Sequence, residues 1–173
     1  MSNILSYKGV RPTIAADAFI APTATVIGDV VIGAETGIWF NCVIRGDVHE
    51  IRIGSRTNIQ DGSIVHVTGG KFGTYIGSDI TIGHGAVIHA CTLEDGCFIG
   101  MGAVLLDGVV VESGAMVAAG AVVTPGKRVK RGELWGGNPA KLLRPLSEGD
   151  IAFFPKSAAT YVGLARQYLQ ELG

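Results

Sequence analysis

The chain has 173 residues, 47% of them hydrophobic, and a formal net charge of −1 at pH 7. That length suits a single domain over 1–173, and the balanced charge gives no footing for nucleic acid or an anionic membrane surface. The opening MSNILSYKGVRP lacks a basic stretch followed by an apolar run, so no signal peptide is expected, and no segment is apolar for the roughly 20 residues that a bilayer span needs.

From Ile20 onward, large aliphatic residues recur every six positions. They stand at Ile20, Val26, Ile32, Ile38 and Ile44, then at Ile53, Ile59 and Val65, then at Ile76, Ile82 and Ile88. A last run holds at Leu93, Ile99, Leu105, Val111, Val117 and Val123. Four residues after these anchors the side chain is small or β-branched, as at Ala24, Cys42, Thr57, Ser63, Ala86, Cys97, Ala103 and Ala121. This is the pattern of an all-β parallel β-helix built from hexapeptides, in which the large residue fills the interior and the small one turns a corner. Three hexapeptides close one triangular coil. The helix is expected over residues 12–126. A flexible glycine-rich linker would carry no such sustained period.

The phase breaks in three places. Ile44 to Ile53 is too long and places an excursion around Val48–Ile51. Val65 to Ile76 is longer still and places a loop at about Gly69–Gly73. Ile88 to Leu93 is short and reads as a tightened corner. After Val123, Pro125–Gly126 and the basic run Lys127, Arg128, Lys130 and Arg131 lead into an extended exit segment over 127–146, with the charges solvated. Ser147, with Asp150 three residues on, reads as a helix N-cap. A short helix holding Ile151, Phe153 and Phe154 is expected to break at Pro155. A second helix then runs to about Leu172, with Tyr161, Leu164, Ala165, Tyr168 and Leu172 on one side, completing a C-terminal helical segment over 147–173. The odd count of three cysteines has no disulfide spacing, which points to free thiols and a reducing, cytoplasmic compartment.

The repeat also fixes where polar residues point. Arg45, His66 and His89 each follow an anchor by one, and those anchors are one full coil apart, so the three stack in one outward column. Neighbouring coils lie about 4.8 Å apart, close enough for two imidazoles to share a metal ion. His84 follows Ile82 by two, on the preceding face, with Asp61 one coil below it and Gln60 beside that. Adjacent faces of a triangular prism diverge, so His84 is expected to meet His66 and His89 of a neighbouring chain. A ring of three chains then holds three equivalent sites, a homotrimer with metal between subunits. Three neutral imidazoles with an open position make a catalytic zinc site, though Fe or Co also suits such ligands. His49 falls in the excursion and reads as an exposed bystander.

The segments PTATVIGDV, IRGDVHEIRIG, TNIQDGSIVHV, TIGHGAVIHAC, GMGAVLLDGV and GELWGGNPAKLLRPL together resemble the γ-class carbonic anhydrases of the hexapeptide-repeat superfamily. The resemblance covers nearly the whole chain and implies a left-handed β-helix that hydrates CO2 to bicarbonate with zinc. It implies metal ligation by His66 and His89 from one subunit and His84 from the next. Arg45 and Asp47 match an ion pair linking subunits, and Gln60 matches a residue bonded to metal-bound water or bicarbonate. Asp61 matches a carboxylate behind the ligands, and the resemblance brings Tyr161, on the C-terminal helix, toward the pocket. The chain departs from the best-known members in two ways. Val48 stands where they carry an acidic residue, and VTGGKFGTYIG has no carboxylate where they carry a glutamate. Those glutamates are associated with moving the proton off the site, a task left here to solvent or buffer. Other readings are a metal-binding relative acting on another small molecule, a metal serving only as trimer glue, and a hexapeptide acyltransferase. In the last, one histidine acts as general base, which the stacked pair argues against.

Overall fold

The computed structural model describes residues 3–172, and in it the six-residue period becomes a left-handed parallel β-helix. Strands one coil apart pair in parallel, so the anchors stack in three ladders. The first runs through Ile4, Val26, Ile44, Val65, Ile88, Leu105 and Val123. The second runs through Ile14, Ile32, Ile53, Ile76, Leu93, Val111 and Val129. The third runs through Ile20, Ile38, Ile59, Ile82, Ile99, Val117 and Trp135. Most of these anchors are completely shielded from solvent, each burial contributing roughly 1.5–3 kcal/mol.

Corners are closed by the small residues. Ala24, Cys42, Ala86, Ala103 and Ala121 have no exposed surface. Another corner is a column of glycines, Gly33, Gly54 and Gly77. A Cβ on Gly54 would lie 2.6 Å from the Gly77 carbonyl carbon, so backbone packs on backbone there.

The insertions fall beside one coil. Thr25–Ile32 and Val43–Ile53 are long strands that bend around a corner. Gly28 pairs with Gly46 but Val30 pairs with Ile51, so Asp47–Glu50 face Asp29 alone. The excursion expected at Val48–Ile51 is thus a bulge inside a continuous strand, where it re-aims side chains rather than leaving the surface. The second insertion is a tight turn closed by the pairing of Thr68 with Phe72.

The boundaries of the coil differ from the expected 12–126. Asn3–Leu5 and Thr13–Ile14 already pair in parallel with Thr25–Ile32. At the other end Val129 is fully buried above Val111, and Glu133–Gly137 pairs in parallel with Met116–Val117 before folding back as an antiparallel hairpin with Ala140–Pro145. The six-residue spacing continues through Val129 and Trp135. The charges of the basic run occupy the outward positions around Val129 and do not end the coil.

The C-terminal segment is one helix, α1, Glu148–Leu172, and Pro155 does not divide it. Pro155 lies on the solvent face, where the carbonyl it leaves unbonded can turn to water. Ser147 caps the helix as expected. Its hydroxyl accepts from the Asp150 N–H at 3.1 Å, while the Asp150 carboxylate accepts from the Ser147 N–H at 2.8 Å. Phe154, Ser157, Ala158 and Ala165 are buried against the outside of the third ladder. Leu164 and Leu172, expected on the packed stripe, remain exposed. Among the described residues no helix is long and apolar enough to cross a membrane.

Candidate metal centre

His66 and His89 are paired across adjacent strands of the first ladder. Their ring centroids are 5.2 Å apart, and His66 Nδ1 lies 3.2 Å from His89 Nε2. Each ring's other nitrogen meets a carboxylate. His66 Nε2 is 3.0 Å from Asp47 Oδ1, and His89 Nδ1 is 2.7 Å from Asp107 Oδ1. Both carboxylates are held from behind. Arg45 donates to Asp47 Oδ2 at 2.6 Å, and the Thr68 hydroxyl donates to Asp107 Oδ2. Burial opposes ionisation of Asp47, but hydrogen bonds from Arg45 and His66 outweigh it and hold its carboxyl below the ordinary value. The Thr68 hydrogen bond does the same for Asp107 against its burial, with His89 adding to it.

These contacts determine the tautomers. An ionised carboxylate only accepts, so it draws the N–H of each imidazole toward itself. With both rings neutral, lone pairs are left on His66 Nδ1 and His89 Nε2, facing one another at 3.2 Å. Two lone pairs at that range repel unless a cation lies between them. Two nitrogens at 2.0–2.1 Å from a tetrahedral zinc ion stand about 3.3 Å apart, so the donor set fits a shared metal. The carboxylate behind each imidazole is the arrangement that orients metal-binding histidines.

The remaining expected residues gather elsewhere. His84 Nδ1 is 2.9 Å from Asp61 Oδ2, at the edge of the third face, with both side chains well exposed. Gln60 is buried and donates from Nε2 to Asn58 Oδ1 at 3.1 Å. Tyr161 of α1 packs edge-on to Trp39 at 5.4 Å, and burial, followed by the charge of Asp61, raises its hydroxyl pKa. One chain therefore carries two separate groups. One holds Arg45, Asp47, His66 and His89; the other holds Gln60, Asp61, His84 and Tyr161. No three His, Cys, Asp or Glu side chains converge as a ligand set among the described residues of one chain.

Three contacts were not anticipated from sequence. The Arg45–Asp47 pair closes within one chain, because residues two apart on a strand share a face. Asp107 was missed, although it stands eighteen residues beyond His89, the separation that three hexapeptides give. Asn58, one strand position before the anchor Ile59, carried no signal in the spacing, yet it accepts from Gln60. His49 is half-buried rather than exposed, and its Nδ1 accepts from the Glu50 N–H at 2.9 Å.

Residues 90–125 match the family model described as bacterial transferase hexapeptide (six repeats). The chain is 54% identical over 165 residues to gamma carbonic anhydrase 1, mitochondrial, of Arabidopsis thaliana, covering 92% of this chain and 60% of that one. It thus spans about three fifths of the length of the plant relatives it matches. It is 47% identical over 165 residues to a carbonic anhydrase of Geobacillus kaustophilus, covering 95% of this chain and 90% of that one. Among solved structures, a hexapeptide transferase family protein from Anaplasma phagocytophilum superposes with a TM-score of 0.93 at 48% identity, over 96% of this chain and 98% of that one. At this level of identity, and over nearly its whole length, the chain belongs to the γ-class carbonic anhydrase family of hexapeptide-repeat proteins.

Proposed function

We propose that the protein hydrates CO2 reversibly to bicarbonate at a metal site completed between subunits of a homotrimer. The observation that carries the reading is the 3.2 Å approach of His66 Nδ1 to His89 Nε2, with a carboxylate on the other nitrogen of each ring. The second group, with His84 backed by Asp61, supplies the third imidazole from a neighbouring chain. Two incomplete groups on different faces of one chain complement each other when three copies close a ring. Three buried free thiols favour a reducing compartment such as the cytoplasm.

Zinc, when bound, supplies a Lewis acid that makes hydroxide available at neutral pH. The protein's own residues do the rest. Asp47 and Asp107 aim the His66 and His89 rings, and Arg45 and Thr68 keep those carboxylates in place. Asp61 holds His84 in the same manner. Gln60 turns its Nε2 inward to Asn58, which leaves its carbonyl oxygen to accept an O–H and orient the nucleophile. A zinc ion held by His66, His89 and the neighbour's His84 would supply the hydroxide that adds to CO2 to give bicarbonate. With no carboxylate at Val48 or in the Gly69–Gly73 turn, the proton released in the cycle would pass to solvent or buffer.

A transferase general base does not fit the histidine pair. Neither facing lone pair is free to take a proton from an acceptor hydroxyl without the other imidazole lying in the way.

Stopped-flow CO2 hydration on protein of measured metal content, loaded with zinc and separately with iron under anaerobic conditions, tests the proposal. Activity that follows metal content, rises with buffer concentration and disappears in His89→Ala and His84→Ala is the expected result. A fully metallated trimer inactive at every buffer concentration would overturn it.

A further inference from the structure

Gln60 is not held by Asn58 alone. Asn58 donates from Nδ2 to the Ile80 carbonyl at 3.3 Å and to the Thr81 hydroxyl at 3.0 Å. Thr81 in turn shares a hydrogen bond of 2.9 Å with the Ser157 hydroxyl of α1. All four side chains are buried, with Asn58 2%, Thr81 3%, Gln60 4% and Ser157 8% exposed. Asn58 and Thr81 lie opposite each other on adjacent coils. A continuous line of side-chain hydrogen bonds thus runs from the helix through two coils to Gln60.

The polarity of the line follows from its chemistry. A backbone carbonyl only accepts, so the NH2 of Asn58 faces Ile80 and Thr81, and its oxygen faces Gln60. That oxygen only accepts, so the NH2 of Gln60 faces inward and its carbonyl oxygen outward. The Thr81 hydroxyl accepts from the Asn58 amide, and Ser157 engages that same hydroxyl from α1. Buried polar lines of this kind are demanding, because each member left unmet costs its full desolvation.

We propose that Ser157 and Thr81 are positioning residues for Gln60, and that α1 therefore sets the direction of a hydrogen-bond acceptor at the metal centre from outside the coil. The assignment rests on the carbonic anhydrase reading for its catalytic consequence but not for its structural part.

The test compares Thr81→Val, which removes the hydroxyl at constant shape, with Thr81→Ser, which retains it, and with Ser157→Ala. In metal-free protein, amide spectra of the Gln60 side-chain NH2 are expected to show slow solvent exchange in the wild type and Thr81→Ser. Fast exchange is expected in Thr81→Val and Ser157→Ala. In metal-loaded protein, kcat/KM for CO2 hydration falls roughly tenfold in Thr81→Val, the lower end of what losing a supporting partner costs. Thr81→Ser restores it, and Thr81→Val has no further effect in a Gln60→Ala background. Gln60 signals unchanged in Thr81→Val and Ser157→Ala, whatever their melting temperatures, would overturn the proposal. So would a loss that adds fully to that of Gln60→Ala. A wild type inactive toward CO2 would sink the functional reading, while the exchange measurement would still decide the positioning.

Discussion

His66 Nδ1 and His89 Nε2 face each other at 3.2 Å while Asp47 and Asp107 occupy the opposite nitrogens. With both rings neutral, the two lone pairs point at one spot, as the proposed metal site requires. Asp107→Asn removes the acceptor that fixes the His89 tautomer, since an amide offers N–H as readily as C=O at that position. Metal affinity is expected to fall about 10- to 100-fold, measured by chelator competition, with the fold intact by circular dichroism. Unchanged affinity would show that His89 needs no partner to aim it.

Pro155 lies inside α1 on its solvent face and leaves one helical hydrogen bond unmade. Pro155→Ala is expected to stabilise the protein by about 2 kcal/mol. Proline costs about 3 kcal/mol relative to alanine in a helix interior, and its restriction of the unfolded chain returns part of that. Urea unfolding at constant m-value checks this, and a destabilised variant would mean that the ring packs usefully where it stands.

Gly54 belongs to a corner at which neighbouring backbones leave no space for a Cβ. Gly54→Ala forces adjacent coils apart and is expected to cost at least about 1–3 kcal/mol, the range for overpacking a filled interior. The same substitution at Gly62, which has nothing within 4 Å of a Cβ but a φ of +73°, costs backbone strain of about 1–2 kcal/mol. Thermal unfolding of the two variants separates packing from conformation, because only Gly54→Ala also loosens exchange protection in the next coil.

Burial pushes the Cys42 thiol up to about 11 and the Cys91 thiol to about 12. The folded state therefore holds these protons more tightly than the unfolded chain. That contribution to stability is complete below the ordinary thiol value, near 9, and is lost as pH rises from there toward the folded values. Native protein is expected to resist alkylation at pH 8 over hours, with all cysteines reacting promptly in denaturant. Rapid labelling of native protein would show that the coil opens at these corners.

Much of this molecule can be read by counting in sixes. The interior ladders, the turn after Thr68 and the stacking of His66 on His89 all follow from spacing, since a side chain's direction in a regular coil depends only on its phase. What spacing does not convey is which outward groups touch. Asp107 stands one coil beyond His89, but it is one carboxylate among several at corners, and only its 2.7 Å approach to His89 Nδ1 singles it out. Val129 kept the phase, but the charges around it resemble an exit. Pro155 obeyed helix propensity less than the packing of Phe154, Ser157 and Ala158 around it.

The position of α1 changes how the coil as a whole can come apart. In a solenoid each repeat senses only its immediate neighbours, so disorder at one end can spread as independent local fraying. Here one rigid rod lies across the strands at Phe19–Ile20, Gly37–Ile38, Asn58–Ile59 and Thr81–Ile82. Those repeats cannot open singly without first lifting the rod from all of them. The coils that carry His66, His84 and their supports are thereby fused into a single cooperative block, while the coils above Val117 keep the looser, one-at-a-time behaviour of an ordinary repeat array.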